Sequence, residues 1–270
     1  MKILKKNLVV LFGCLFFIIS CSTVPITGRQ QLNIIPTSTM LQMSYQQYEQ
    51  FLNQHQISND ASEVRMVKTV GSKIAQAVEQ YFRQNNMAEQ IDNYEWEFNL
   101  IESEEVNAFA MPGGKVVVYS GILPIARNRT GLAVIIGHEI AHVVAEHGNE
   151  RMSHGLATQM GGMALSAALS SQPQQTRELF MTAFGAGAQI GFMLPYSRLQ
   201  ESEADHLGLI FMAMAGYDPR AAIDFWQRMQ QKKGGGSTPE FLSTHPSDQS
   251  RIQNIRELIP KVMPYYRANN

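Results

Sequence analysis

The stretch LAVIIGHEIAHVVAE, residues 132–146, determines which fold and chemistry we expect of this chain. It is apolar except for four polar side chains, and it predicts a buried helix. His138 and His142 then lie about 40° apart around the helix axis, with side chains about 6 Å apart, so that both imidazoles can bind one tetrahedral Zn²⁺. Glu139 lies about 100° further round, which suits a general base facing the metal-bound water. The alternative to a metal site is that one or both histidines are buried core residues whose ring nitrogens are hydrogen-bonded within the protein.

A second polar motif occurs downstream, where residues 201–205 read Glu-Ser-Glu-Ala-Asp in an otherwise helical stretch. A catalytic zinc site commonly takes two histidines and a glutamate from the protein and keeps one position open. Because Glu201 and Asp205 are one helical turn apart, one can bind the metal while the other holds a ligating histidine. Helical geometry points Glu203 away from them. The alternative for each acid is a solvated helix face.

Five segments resemble, in the same order, the gluzincin metallopeptidases of the HtpX and CAAX prenyl endopeptidase type, and in particular their soluble periplasmic lipoprotein branch (LoiP/BepA-like). The segments are His138-Glu139-x-x-His142, Tyr196-Ser197-Arg198-x-x-Glu201-x-Glu203-Ala204-Asp205, Thr27-Gly28-Arg29-Gln30-Gln31-Leu32, Asn107-Ala108-Phe109-Ala110-Met111-Pro112-Gly113-Gly114, and Ser243-Thr244-His245-Pro246 followed by Arg251-Ile252. The resemblance implies one zinc ion per chain, with Glu201 as the third ligand and Asp205 as its helper.

The same resemblance places His245 near the metal, either as a fourth ligand that closes a latent site or as a donor to the tetrahedral intermediate. The alternative is an ordinary loop histidine. Tyr196 and Arg198 are candidates for stabilising the negative charge that develops on the oxyanion. The alternative roles are a packed aromatic ring for Tyr196 and a salt bridge at the start of the helix for Arg198. His147 is five residues after His142 and lies off the metal face of the helix, so we expect it to be structural.

The order of the predicted elements favours a predominantly helical α+β fold. Helices are predicted over 39–54, 60–82, 198–215, 219–231 and 247–259, and two strands over 94–100 and 115–120. We expect a zincin-like core with a small sheet packed on the HExxH helix, in one metallopeptidase domain over residues 37–270. Residues 155–194 are rich in glycine, alanine and methionine and predict a close-packed or mobile helical segment. An extended substrate is expected to add as a strand beside Val116–Tyr119.

The N-terminus predicts export. Three lysines precede an apolar run over residues 8–19, which is typical of a secretory signal peptide over residues 1–20. The run ends at Cys21 in a sequence that resembles a lipobox, and this implies a lipoprotein anchored through Cys21 with an extended lead-in over residues 21–36. The alternative is an ordinary signal peptide. Ser22 is not the aspartate that commonly retains such proteins in the inner membrane, so the resemblance implies the periplasm and the outer membrane.

Composition limits the functions that fit this chain. The 270 residues are 44% hydrophobic and 17% charged, which excludes collagen-like and wholly disordered chains. Basic and acidic residues number 22 and 23, so no strong field attracts nucleic acid. We expect a zinc endopeptidase that degrades unfolded or misassembled envelope proteins, with outer-membrane assembly machinery as a candidate partner. The alternative is a chaperone-like or scaffold lipoprotein with a latent or structural zinc site.

Overall fold

The computed structural model describes residues 21–170, 174–175, 178, 197–233, 239–245 and 249–267. The predicted signal peptide, Tyr196 and nearly all of the segment from 171 to 194 lie outside these residues. The chain divides into two compact units, Met1–Thr39 with Gly148–Leu194, and Met40–His147 with Pro195–Asn270. These boundaries do not coincide with the predicted range 37–270, and the single-domain assignment stays a prediction.

Helices predominate in the described residues, and the predicted α+β class is confirmed. The helices are α1 (Thr37–Gln54), α2 (Ala61–Gln84), α3 (Leu123–Ala126), α4 (Arg129–Val144), α5 (His147–Ala168), α6 (Arg198–Met214), α7 (Ala221–Lys233), α8 (Glu240–Thr244) and α9 (Gln249–Arg267). The strands are β1 (Cys21–Thr23), β2 (Gln30–Leu32), β3 (Glu97–Ile101), β4 (Ala108–Met111) and β5 (Lys115–Tyr119). The described helices include none that is both long and apolar enough to span a bilayer.

A three-stranded sheet of order β3-β5-β4 lies in the larger unit. β5 pairs in parallel with β3 and in antiparallel with β4, which was not among the predicted strands. Because β5 is paired on both sides, the expectation that a substrate adds beside Val116–Tyr119 is wrong. Val116, Val117 and Val118 are fully buried, and a strand that is apolar on both faces belongs in the middle of a sheet.

The HExxH helix α4 is the centre of the larger unit. All of its residues from Gly131 to Val144 are buried, because α2, α6, α7 and β4 pack around it. The Asn128 side chain accepts a hydrogen bond from the Gly131 N–H and caps the start of the helix. α4 ends at Val144, and Glu146 adopts a left-handed backbone conformation with φ 54°. This turn redirects the chain into α5 at His147.

The smaller unit joins the lead-in to α5. β1 and β2 form a short antiparallel hairpin in the lead-in. Arg29 donates two hydrogen bonds to the Glu150 carboxylate, at 2.6 and 2.8 Å. The Asn149 side chain donates to the Ile35 carbonyl at 2.9 Å. The lead-in is therefore attached to the first turns of α5.

Candidate metal centre

Four buried side chains from three parts of the fold meet in the larger unit. His138 and His142 lie on α4, Glu201 lies in the first turn of α6, and His245 directly follows α8. One potential ligand atom from each residue lies within 4.8 Å of the others. The structure thus brings together the three predicted ligands and the histidine for which two roles were open.

Four of the six distances among the ligand atoms are close to those of a tetrahedral metal site. Bonds of about 2.0–2.1 Å in a tetrahedral zinc site place neighbouring ligand atoms about 3.4 Å apart. His138 Nε2 lies 3.1 Å from His142 Nε2 and 3.4 Å from His245 Nδ1. Glu201 Oε1 lies 3.3 Å from His142 Nε2 and 2.9 Å from His245 Nδ1. Three imidazoles and one carboxylate therefore fit one tetrahedral cation, with His245 in the fourth position.

Glu139 lies beside this cluster. Its side chain is buried, and its Oε1 has no hydrogen-bond partner among the residues that the structure describes. His245 Nε2 lies 3.6 Å from that oxygen. Burial raises the pKa of the Glu139 carboxyl above its ordinary value. A buried carboxylate oxygen that accepts no hydrogen bond from the described residues suits a group that accepts a proton from water.

Asp205 and Arg251 hold two of the candidate ligands. The Asp205 carboxylate lies 3.0 Å from His138 Nδ1 and accepts two hydrogen bonds from Arg251, each 2.8 Å long. Arg251 also donates to Glu201 Oε2 at 2.9 Å, and its guanidinium carbon lies 3.4 Å from the ring centroid of Trp226. No role was predicted for Arg251. The signal that could have identified it was its position in the C-terminal segment of the family resemblance.

The charges around the centre favour a cation. Burial and the charge of Arg251 act to lower the pKa of His138, but hydrogen bonds to Asp205 and Glu201 outweigh them and raise it to about 9. Burial would raise the pKa of Glu201, but Arg251 and His138 hold it far below its usual range. Burial lowers the pKa of His142 well below its ordinary value. Two ionised carboxylates thus hold a proton on His138, and a divalent cation would replace that proton.

His147 contacts His142 at the ring nitrogen that does not face the other candidate ligands. Its Nδ1 lies 2.8 Å from His142 Nδ1, and its Nε2 lies 3.1 Å from Glu203 Oε2. All three side chains are buried. Glu203 is not among the four candidate ligands, but its carboxylate contacts His147, which in turn contacts the candidate ligand His142. His147, which we expected to be structural, likewise contacts His142 directly.

The remaining predicted site residues are Arg198, Tyr196 and Cys21, and the distances around the centre assign no role to them. Ser197 and Gln200 form a capping box that starts α6 and so fixes Glu201 in its first turn. Arg198 is exposed at that helix start, and its oxyanion role stays a prediction. Tyr196 lies outside the described residues. Cys21 is the first residue of β1, and its lipidation stays a prediction.

The fold and the site together define a class of protein. A buried HExxH helix, a glutamate from a second helix beside its histidines, and a small sheet against the first helix are features of a zincin-type metallopeptidase. The comparison with protein families agrees with this class. The model of Peptidase family M48 matches residues 68–259, and the chain belongs to this family.

Three relatives show how far the similarity extends. The chain is 31% identical over 253 residues to the mitochondrial metalloendopeptidase OMA1 of Schizosaccharomyces pombe, which covers 92% of this chain and 69% of that protein. It is 32% identical over 261 residues to the OMA1 metalloendopeptidase of Bos taurus, covering 93% and 49%. It is 26% identical over 277 residues to the beta-barrel assembly-enhancing protease of Escherichia coli O157:H7, covering 97% and 54%. The chain spans about half the length of the last two proteins.

Proposed function

We propose that this metallopeptidase is a zinc-dependent endopeptidase that cleaves unfolded or misassembled proteins in the bacterial cell envelope. The observation that carries the proposal is the tetrahedral spacing of ligand atoms from His138, His142, Glu201 and His245, with the buried carboxylate of Glu139 beside them. Imidazole nitrogens and one carboxylate oxygen are the ligand set that catalytic zinc takes from proteins.

The side chains at the centre have separate roles in peptide hydrolysis. A bound Zn²⁺ would lower the pKa of a water molecule and polarise the scissile carbonyl group. Glu139 accepts the proton of that water and donates it to the leaving amine. Because burial raises the pKa of Glu139, its carboxylate is a stronger base than an exposed glutamate. Asp205 and Arg251 keep His138 and Glu201 in position through buried hydrogen bonds.

The substrate-binding element is β4 rather than β5. β4 is the last strand of the order β3-β5-β4 in the described residues, and it packs against α4. The Tyr119 N–H donates to the Asn107 carbonyl, so the alternation of antiparallel pairing directs the main chain of Ala108 and Ala110 away from β5. An extended peptide can pair with these groups through its own backbone, which selects unfolded chains with little dependence on sequence.

A location in the envelope follows from the N-terminal signal. The predicted signal peptide and lipidated Cys21 would place the protease in the periplasm on a membrane, and the Ser22 position favours the outer membrane. The name of the Escherichia coli relative, beta-barrel assembly-enhancing protease, supports envelope proteins as substrates and outer-membrane assembly machinery as a partner.

The position of His245 supports a second candidate function. With His245 Nδ1 as a fourth ligand, all four positions would be taken by the protein, as in structural zinc sites. The protein would then be a chaperone-like or scaffold lipoprotein, or a protease that is latent until His245 leaves the metal. A His245→Ala variant separates the two, because it retains three ligands and opens the fourth position. If the wild type does not cleave, cleavage that appears in this variant indicates latency, and a continued lack of cleavage indicates a scaffold.

The deciding experiment uses protein expressed from the full-length sequence and purified from membranes in detergent. We expect one zinc ion per chain and cleavage of casein that stops when a chelator removes the metal. The Glu139→Gln variant should retain zinc and cleave casein about 10²–10⁴-fold more slowly, which is the usual contribution of a general base. Protein without zinc, or a Glu139→Gln variant with normal cleavage, would contradict the proposed function.

A further inference from the structure

The two candidate metal ligands on α4, His138 and His142, form hydrogen bonds with different kinds of partner. The Nδ1 of His138 contacts the carboxylate of Asp205 directly, whereas the Nδ1 of His142 contacts a second histidine, His147, which in turn contacts the carboxylate of Glu203. His147 is fully buried, and His142 and Glu203 are at most 5% exposed. Burying two imidazoles and a carboxylate is unfavourable unless their polar atoms are satisfied by one another.

When His142 and His147 are both neutral, one arrangement of their ring protons satisfies these contacts. Nε2 of His142 faces His138 and Glu201, at 3.1 and 3.3 Å, so this nitrogen is the one that can bind a metal. The proton of neutral His142 must then reside on Nδ1, which donates to His147 Nδ1 at 2.8 Å. His147 accepts through Nδ1, carries its proton on Nε2, and donates that proton to Glu203 at 3.1 Å.

We propose that His147 and Glu203 are positioning residues that fix the tautomer and the ring orientation of His142 for metal binding. This proposal rests on the zinc site of the proposed function. Glu203 orients His147, and His147 removes the competing tautomer of His142, in which Nε2 would carry the proton and could not bind a cation. A support of this kind contributes to metal affinity without a contact to the metal.

The backbone explains how a residue five positions after His142 reaches it. On an unbroken helix, five residues correspond to about 140° around the axis, which would separate the two rings. α4 instead ends at Val144, and the left-handed conformation of Glu146 turns the chain before α5 begins at His147. Glu203 reaches the other side of His147 because α6 packs against α4. The face of α6 that carries Glu203 is buried, as is the face that carries Glu201 and Asp205.

The first test measures zinc affinity by competition with a fluorescent chelator, in full-length protein purified from membranes. His147→Ala and Glu203→Leu should each weaken zinc binding about 10–100-fold, the usual cost of losing such a support. Glu203→Gln keeps an acceptor for His147 Nε2–H and should retain most of the affinity. His154→Ala, which removes a half-exposed histidine from the same helix, is the matched control and should leave affinity unchanged.

Zinc affinity of His147→Ala equal to that of the wild type would overturn the proposal. If His147→Ala does not fold, the two Glu203 variants provide the test. Equal losses of zinc affinity in Glu203→Gln and Glu203→Leu would contradict a hydrogen-bonding role of Glu203. A double variant of His147→Ala and Glu203→Leu gives a further check. Because Glu203 acts through His147, the loss of zinc-binding free energy in the double variant should be smaller than the sum of the losses in the two single variants.

The second test requires no metal. Long-range ¹H–¹⁵N spectra of the metal-free protein report which ring nitrogen of each histidine carries the proton, and a His142→Gln variant assigns the signal. We expect the Nδ1–H form of His142 in the wild type and a mixture of tautomers in His147→Ala. An unchanged tautomer would overturn the proposal. Wild-type protein that binds no zinc would instead contradict the proposed function, and the spectra would still decide this inference.

Discussion

Gly137 and Gly208 lie face to face where the helix of His138 and His142 crosses the helix of Glu201. A Cβ atom on Gly137 would lie 2.9 Å from the carbonyl oxygen of Gly208, closer than real Cβ contacts allow. A Cβ on Gly208 would likewise lie 2.9 Å from the backbone of Gly137. Because both contacts are with backbone, no side chain can move aside. The two glycines therefore set the distance between the imidazoles and the Glu201 carboxylate.

A methyl group at this crossing should weaken both the fold and the metal site. Gly137→Ala forces α4 and α6 apart, and overpacking of this kind costs about 1–3 kcal/mol of unfolding free energy. Zinc affinity should fall as well, because Glu201 moves away from the histidines. Gly155→Ala on α5 is the control, since a Cβ there meets no atom within 4 Å in the described part of the chain. Urea denaturation that ranks the two variants equally would contradict this prediction.

Arg251 should be essential for a stable metal-free protein. Arg251→Met leaves the buried carboxylates of Glu201 and Asp205 beside each other without their shared cation, and breaking such a buried pair costs about 3–5 kcal/mol. Zinc should restore part of the stability, because the ion supplies positive charge at the same place and binds only the folded chain. Thermal unfolding with and without zinc measures both effects.

Arg256→Met, an exposed position on the same helix, serves as the control for Arg251 and should change the unfolding free energy by no more than about 0.5 kcal/mol. If Arg251→Met unfolds at the wild-type temperature in the absence of zinc, the guanidinium does not compensate the two carboxylates.

Zinc binding should release a proton and strengthen as the pH rises. The pKa of His138 is about 9 in the metal-free fold, so at neutral pH the ion must displace the proton that Asp205 and Glu201 hold there. Apparent affinity should increase up to about tenfold per pH unit between pH 7 and 9. In the metal-free protein the same group stabilises the fold below pH 6.5, and this contribution disappears as the pH rises through 9.

Calorimetric titrations with zinc, in buffers of different ionisation enthalpy, count the released protons. Asp205→Asn removes the main hydrogen bond that raises the pKa of His138, and this variant should release fewer protons at pH 7. A zinc affinity that does not change from pH 7 to 9, with no proton release, would refute the charge assignment.

The open edge of β4 offers a test of substrate binding that leaves the metal site intact. Ala110→Pro removes the main-chain N–H that points away from β5, and proline is tolerated on edge strands in this orientation. One lost backbone hydrogen bond of about 0.5–1.5 kcal/mol should lower kcat/KM for casein about two- to tenfold, with zinc content unchanged. Ala110→Val keeps the N–H and should cleave as the wild type does. Equal activity of the two variants would argue against docking on β4.

The sequence predicts those parts of the site that depend on local spacing. Helical geometry predicts His138, Glu139 and His142, and a separation of one turn predicts the pair of Glu201 and Asp205. Only the family resemblance implies which of these two acids is the ligand. Arg251 could not be assigned in this way, because its partners lie 46 and 50 residues away and only the tertiary fold brings them together.

One wrong prediction and one missed contact have simple physical causes. The strand Ala108–Met111 has four residues and no alternation of polar and apolar side chains, so periodicity does not predict it and leaves that side of β5 open. His147 is not among the four candidate ligands, but its contact with His142 is not predictable from the geometry of a continuous helix. A single left-handed residue, Glu146, interrupts that helix and turns His147 toward His142.

Anomalous diffraction at the zinc absorption edge, on crystals grown with zinc, tests the central claim most directly. We predict one peak per chain, about 2.0–2.1 Å from Nε2 of His138 and of His142 and at bonding distance from a carboxylate oxygen of Glu201. His245 Nδ1 should complete the tetrahedron in a latent protein, and a water molecule should take that position in the active protease. A peak elsewhere on the chain, or one that the Glu201 carboxylate does not touch, would contradict the account.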